Sequence, residues 1–174
     1  SVGNGLHPAC TIIAMMNVLK WYSYNKGSAA HYNPDNFNLV YNYLYRTAGT
    51  TAETVDGKTG YYTQWDRIGP TMNAYFAQYG HTCISDGYWL VLFSDFKRDI
   101  DAGKPCMFGY NWNTVNGSRD GHHVFVCGYT ITTENKYLRV ADGWTRGTKY
   151  LNFSGCSYKA TQGVSFTIND QHYK

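Results

Sequence analysis

Three residues of this chain, Cys10, His122 and Asp142, are of the types that carry out acyl transfer when they lie together. His122 opens one apolar run, residues 122–130, and Asp142 follows the end of the next, residues 136–140. In an antiparallel hairpin the start of the first strand lies beside the end of the second. The pattern therefore predicts that the imidazole and the carboxylate, 20 positions apart, come within hydrogen-bonding distance.

A histidine held by a carboxylate needs a nucleophile, and Cys10 is the best candidate. It falls in the first turn of a predicted helix that runs from about Ala9 to Tyr22, and Pro8 suits a first helical position. A helix N-terminus and a neighbouring imidazolium both favour the thiolate, which is the reactive form of cysteine. Taken alone, a cysteine at a helix start is more often a small buried residue; the three residues jointly favour a Cys10, His122, Asp142 triad.

The elements that would position these residues change type along the chain. Helical patterns occupy the first half, to about residue 103, including a fourth helix capped by Ser94, and the Gly- and Thr-rich residues 48–62 are typical of a long loop. Strand-like runs follow from about residue 104, at 105–110, 122–130, 136–140, 149–153 and 163–168. Helices first and strands afterwards predict an α+β fold, a helical half packed on an antiparallel sheet or partial barrel, in one domain over residues 1–174.

The amino-acid composition argues against several classes of function. Only 16% of the residues are charged, the net charge is +3, and 17 tyrosines supply much of the polarity. The chain has no cluster of lysine and arginine, which argues against nucleic-acid binding, and no apolar run as long as a membrane span. We expect a secreted or cell-surface protein, and because Ser1 is followed by no basic or hydrophobic leader, any targeting signal would have been removed.

The five cysteines lack the close spacing of a zinc knuckle or a redox motif, so we expect no metal and no cofactor. Apart from Cys10, four cysteines could form two disulfides or stay as small buried residues; Cys106 and Cys127 lie inside apolar strands, which favours free thiols.

Four segments resemble the papain-like cysteine peptidase superfamily, and within it the compact bacterial branch of bacteriocin-leader peptidases and related secreted domains. They are Asn4-Gly5, the helix beginning at Cys10, residues 121–129 (GHHVFVCGY) and residues 142–144 (DGW). The resemblance implies a papain-like fold and a cysteine endopeptidase that acts on a protein or peptide substrate. It also leaves open a propeptide removed from the N-terminus.

The resemblance assigns a role to each position. Cys10 would be the nucleophile, His122 the acid and base, and Asp142 the residue that orients the imidazole, while Asn4 would donate to the oxyanion with the Cys10 backbone N–H. Trp144 would shield the histidine or simply pack on the sheet. His122 is chosen over His123 because it directly follows Gly121 and stands six residues before a glycine, which is the family spacing.

Two other functions remain open from sequence. A transglutaminase-type acyltransferase would use the same triad but would hand the acyl group to an amine. A Tyr-rich module that binds carbohydrate or peptide would need no triad, because exposed aromatic rings stack on sugars and peptides.

Overall fold

The computed structural model describes residues 9–26, 32, 34–55, 58–113, 119–154 and 159–170. The chain divides into two compact units, residues 1–85 with 168–174 and residues 86–167. The single domain over residues 1–174 stays a prediction.

The first unit is built on three helices: α1 (Cys10–Lys26), α2 (Phe37–Thr47) and α3 (Ile68–Ala77). Short 3-10 turns, Pro34–Asn36 and Trp65–Arg67, lead into α2 and α3. Helix α1 is buried around most of its circumference because its apolar residues are not confined to one face: Ile12, Ala14, Met15, Met16, Val18 and Leu19 are all buried.

Helices α1, α2 and α3 pack through aromatic side chains. Tyr22 of α1 meets Phe76 of α3 edge to face, with ring centroids 5.1 Å apart, and Tyr43 of α2 meets Tyr75 in the same way at 5.6 Å. Such edge-to-face pairs add to the free energy gained by burial alone. Three of the tyrosines that make the chain look polar in sequence are therefore buried in this unit: Tyr22, Tyr41 and Tyr75.

Residues 48–62 were predicted to form a loop, and this prediction is wrong. Thr51–Val55 (β1) and Lys58–Tyr62 (β2) form an antiparallel hairpin, in which Glu53 pairs with Gly60. Threonine, valine and tyrosine favour strands, and the dipeptide Asp56-Gly57 between the two runs is a hairpin signal that outweighs the glycine content.

The remaining strands form one six-stranded sheet in the order β3–β8–β4–β5–β6–β7. Their bounds are His81–Tyr88 (β3), Cys106–Asn113 (β4), Arg119–Ile131 (β5), Lys136–Ala141 (β6), Lys149–Asn152 (β7) and Lys159–Asp170 (β8). The pairs from β8 through β7 are antiparallel. Five of the six strands were predicted from sequence, while β3 was not.

Helix α4 (Phe93–Asp101) covers one face of this sheet within the second unit. Phe93 and Phe96 pack against the buried face formed by Phe108, Val124, Val126, Leu138 and Val140. The helix begins one residue before the predicted cap, Ser94: Leu92 is the capping position, and its backbone N–H donates to Asp95 Oδ2 at 3.0 Å. An acid at the third helical position satisfies this N–H, so a serine cap is not needed.

Tyr88 of β3 and Gly163 of β8, both in the second unit, make one close approach. The ring of Tyr88 lies directly against Gly163, where a Cβ atom would overlap the ring carbons. Tyr88 is held in this position by edge-to-face packing on Phe96, with centroids 5.7 Å apart.

Helices and an antiparallel sheet in one chain confirm the predicted α+β class.

Candidate active site

His122 lies on β5 opposite Tyr110 of β4, and only 1% of its surface is exposed. The Trp144 ring stacks on the imidazole, with centroids 3.7 Å apart and planes 15° from parallel. The Tyr110 ring approaches edge to face, with centroids 6.0 Å apart. The imidazole therefore contacts two aromatic rings, although Trp144 itself is 63% exposed.

The hairpin of β5 and β6 brings His122 and Asp142 together, as the sequence predicted. Phe125 pairs with Ala141, so Asp142 emerges from β6 near the start of the buried part of β5. His122 Nε2 donates to the backbone carbonyl oxygen of Asp142 over 2.8 Å. Because a carbonyl oxygen can only accept, Nε2 carries the hydrogen, and in a neutral imidazole the basic nitrogen is then Nδ1.

The contact with Asp142 thus differs from the expected one, which joined the imidazole to the carboxylate. Asp142 Oδ1 instead accepts hydrogen bonds from the backbone N–H groups of Trp144 and Thr145 and from Thr145 Oγ1, each over 3.0 Å. Lys149 Nζ lies 3.3 Å from Oδ2. An aspartate side chain readily accepts hydrogen bonds from the backbone N–H groups that follow it in a turn. Here the carboxylate of Asp142 is used in this way, and its backbone carbonyl is the group that contacts the histidine.

The turn after Asp142 has two further signatures. Gly143 has φ 77°, a conformation that costs glycine little and other residues more. Burial alone would raise the pKa of Asp142, but hydrogen bonds from Thr145 and Trp144 and the Lys149 ammonium outweigh it, so its pKa lies below the usual range. Asp142 is therefore ionised at neutral pH, and its charge stabilises the turn.

His123 differs from its neighbour. Successive residues of a strand point to opposite faces, so His123 cannot share the contacts of His122 with Tyr110 and Trp144. Burial, together with the adjacent His122, lowers the pKa of His123 from 6.5 to about 4. His123 is therefore neutral at physiological pH.

Cys10 is the first residue of α1, in the first unit. The carbonyl of Ala9 accepts the first helical hydrogen bond, from Ile13 N–H at 3.0 Å, and the first turn contains no acidic residue. Cys10 is a partly exposed free thiol at the end of the helix where the backbone dipole favours an anion.

Three other cysteines are free thiols, as the sequence favoured: Cys83, Cys106 and Cys127. Burial raises the pKa of Cys83 and of Cys106 to about 12, and it also raises the pKa of Cys127. These thiols stay protonated at neutral pH and are poor nucleophiles. Cys156 lies outside the described residues.

Of the predicted site residues, the structure brings together His122, Asp142 and Trp144. Cys10 belongs to the other compact unit, so its pairing with His122 stays a prediction. Asn4 lies outside the described residues, and its role as an oxyanion donor also stays a prediction.

Two residues of this site were missed from sequence: Tyr110, which contacts His122, and Thr145, which bonds Asp142. Tyr110 could have been found only from the strand register, which residue types do not specify. Thr145 carried a local signal, because a threonine three residues after an aspartate in a Gly-containing turn often bonds the aspartate.

In the part of the chain that the structure describes, no helix is long and apolar enough to span a membrane. Across those same residues, no group of three or more His, Cys, Asp or Glu side chains is placed to bind a metal ion. That the protein needs no cofactor stays a prediction.

No protein-family model and no curated protein sequence matches this chain. Solved structures do match it. The chain is similar to a putative C39-like peptidase from Bacillus anthracis, with a TM-score of 0.56 and 12% identity over 97% of this chain and 93% of that one. It is also similar to active interpain A, a cysteine protease from Prevotella intermedia, with a TM-score of 0.51 and 13% identity over 72% of this chain.

The aligned region covers 53% of interpain A, so this chain corresponds to about half of that protein. At these identities the likeness concerns the fold. The predicted resemblance is confirmed at that level: the chain has the fold of papain-like and C39-like cysteine peptidases.

Proposed function

We propose that this protein is a cysteine peptidase that hydrolyses peptide bonds through Cys10, His122 and Asp142. The observation that carries the proposal is the buried imidazole of His122, which Asp142 fixes in one tautomer and Trp144 covers, in a fold shared with cysteine peptidases. A buried imidazole that is held in one tautomer keeps Nδ1 as its basic nitrogen, and this suits the ring to proton transfer.

In the first half of the reaction, His122 Nδ1 takes the proton of the Cys10 thiol, and the thiolate attacks the carbonyl carbon of the substrate. The carbonyl π electrons move to oxygen, and the resulting oxyanion is stabilised by the Cys10 backbone N–H and by Asn4. As the C–N bond breaks, the imidazolium returns its proton to the leaving amine. A thioester between Cys10 and the acyl part of the substrate remains.

In the second half, His122 removes a proton from a water molecule that attacks the thioester. The C–S bond breaks, the thiolate leaves, and the carboxylic acid product is released. The imidazolium then returns its proton to the Cys10 thiolate, which restores the thiol and the neutral ring. The Asp142 carbonyl serves both halves because it accepts the Nε2 hydrogen whether the ring is neutral or charged, and it stabilises the charged ring further.

The stacked Trp144 ring supports this assignment. It covers one face of the imidazole, which keeps water away from the hydrogen bond to Asp142 and limits rotation of the ring. A hydrogen bond shielded from water holds its geometry better than an exposed one. Trp144 would therefore be a positioning residue that acts through His122.

The substrate would be a protein or peptide, and the site of action would be outside the cell. Low charge and high tyrosine content support a secreted or cell-surface protein. Endopeptidase action is part of the same proposal.

The test compares Cys10→Ala with Cys127→Ala, a matched removal of another partly exposed thiol. Hydrolysis of an unfolded protein substrate is followed through the release of new amino groups, and circular dichroism checks the fold of each variant. We expect Cys10→Ala to be inactive and Cys127→Ala to retain at least half of the parent rate. A folded Cys10→Ala protein that hydrolyses at the parent rate would contradict the proposal.

The same assay with a primary amine in excess separates hydrolysis from acyl transfer. Mass spectrometry of the products then shows either free carboxylates or amides of the added amine. Predominant amide at millimolar amine would point to a transferase, and binding of peptide or sugar with no product would point to a binding module.

A further inference from the structure

The chain immediately before Cys10 is anchored by a side chain from another helix. The backbone N–H of Ala9 donates to the hydroxyl oxygen of Tyr41 on α2 over 3.2 Å, across 32 positions of sequence. Both residues are buried, with 1% and 2% of their surfaces exposed. The bond is therefore shielded from water at both ends.

This bond satisfies a group that helix starts normally leave unpaired. Ala9 precedes the first helical residue, and its N–H is one of the four that have no partner inside the helix. In many helices a glutamate or glutamine three positions on fills this role, but Ile12 occupies that position in α1. The Tyr41 hydroxyl supplies from α2 what α1 lacks.

The hydroxyl also lies near the start of α1, because it is bonded to the residue directly before the proposed nucleophile. Burial is the main cause that raises the pKa of Tyr41, and a charge on the Cys10 thiol would raise it further. The Tyr41 hydroxyl therefore stays protonated. It accepts the Ala9 N–H as a neutral dipole and does not add a second anion at the start of the helix.

We propose that Tyr41 is a positioning residue for Cys10, holding the backbone at Ala9 so that the thiol and the Cys10 N–H keep their places at the start of α1. This role rests on the proposed function where it concerns turnover, but not where it concerns the reactivity of the thiol. Without the anchor the first turn would fray. The thiol would then lose the contribution of the helix dipole, and the Cys10 N–H would lose its fixed direction.

The test is Tyr41→Phe, with Tyr45→Phe as its matched control. Tyr45 lies one turn further along α2, and its ring stacks on that of Tyr41 with centroids 6.1 Å apart. Each variant loses one hydroxyl from the same helix, but only the first loses the bond to Ala9. Alkylation of Cys10 by iodoacetamide at pH 7 is followed by mass spectrometry of the peptide that contains it.

We expect Tyr41→Phe to slow the alkylation of Cys10 by about two- to fivefold, the size of a helix-dipole contribution. We expect kcat to fall about tenfold or more with KM within about twofold, because a misplaced oxyanion donor acts mainly in the transition state. Tyr45→Phe should match the parent in both assays.

The possible results separate this inference from the peptidase proposal. Parent-like alkylation and turnover in Tyr41→Phe would overturn the positioning role and leave the peptidase standing. If the parent hydrolyses nothing but the two variants still differ in alkylation, the positioning role stands and the peptidase falls. If Tyr41→Phe does not fold, hydrogen exchange of the Ala9 backbone N–H is measured in the parent protein. Slow exchange supports the bond to Tyr41, and exchange at the rate of a free amide overturns it.

Discussion

Replacing Asp142 separates two ways in which an acid can orient a histidine. If the carboxylate forms a turn and the backbone carbonyl holds the imidazole, any side chain that preserves the turn should preserve most of the activity. Asp142→Asn keeps an oxygen that can accept from the backbone N–H groups of Trp144 and Thr145. Asp142→Ala removes both side-chain acceptors and leaves only the backbone carbonyl. We therefore expect the asparagine variant to be mildly impaired and the alanine variant severely impaired.

The magnitude follows from the hydrogen bonds. Three bonds of 3.0 Å end on Asp142 Oδ1, and a bond to a charged group contributes roughly 1.5 kcal/mol or more. Residues 143–150 are exposed, so water replaces part of what is lost, and we expect Asp142→Ala to cost about 2 to 3 kcal/mol of stability. Asp142→Asn keeps two of the bonds without their charge and should cost about 1 kcal/mol.

Activity should follow the same order. A displaced carbonyl leaves the imidazole free to rotate, so kcat of Asp142→Ala should fall about a hundredfold, whereas Asp142→Asn should lose tenfold at most. Peptide hydrolysis under saturating substrate measures kcat, and urea unfolding measures stability. Nitrogen chemical shifts of His122 report its tautomer, which should keep the hydrogen on Nε2 in the asparagine variant.

Thr145 gives an independent check of the turn. Thr145→Val removes the hydroxyl that bonds Asp142 and should lower kcat a few fold, while Thr145→Ser should restore it. Thr148→Val is the matched control, because its hydroxyl accepts from Arg139 Nε rather than contacting Asp142. If Asp142→Asn and Asp142→Ala are equally impaired, or if Thr145→Val behaves like Thr148→Val, the reasoning from the turn is wrong.

Three other predictions concern the same sheet. His122→Ala should abolish hydrolysis and His123→Ala should not; the reverse result, measured on folded variants, would exchange their roles. The pKa of His123 is lowered to about 4 in the folded protein. Between pH 6.5 and 4 the unfolded chain therefore binds a proton at this histidine that the folded chain does not. The free energy of unfolding should fall as the pH falls through this range, by about 3 kcal/mol at most. Urea unfolding at several pH values should show this slope in the parent and a flatter one in His123→Gln. Gly163→Ala should lower the melting temperature by several degrees, because the added methyl group overlaps the Tyr88 ring, and a parent-like melting temperature would contradict that close approach.

The parts of the site that follow local patterns could be predicted from sequence. A largely apolar run with proline before it predicts α1 with Cys10 at its start, and two apolar runs around a polar turn predict His122 beside Asp142. Both features depend on residues close in sequence or on one hairpin. The hairpin of β1 and β2 is local too, but its glycine and threonine content favours a loop while the dipeptide Asp56-Gly57 favours a hairpin, so the local signals conflict.

The remaining features depend on choices that residue types leave open. Asp142 offers three oxygens to the imidazole, and only the path of the backbone after β6 decides that the carbonyl is used. The bond from Ala9 to Tyr41 joins two helices and depends on how they pack. Tyr110 meets His122 because β4 and β5 pair in one register out of several that the apolar pattern allows.

The stacking of Trp144 on His122 gives the protein an optical reporter at its proposed reaction centre. Indole fluorescence is quenched when an imidazole in van der Waals contact becomes positively charged, because the cation accepts an electron from the excited ring. One face of the Trp144 ring lies on the imidazole while much of the side chain is exposed to solvent. Its fluorescence intensity should therefore decrease as His122 gains a proton, and its emission maximum should shift when a ligand excludes solvent. The difference in emission between the parent and Trp144→Phe would then follow protonation and binding in real time without any added label.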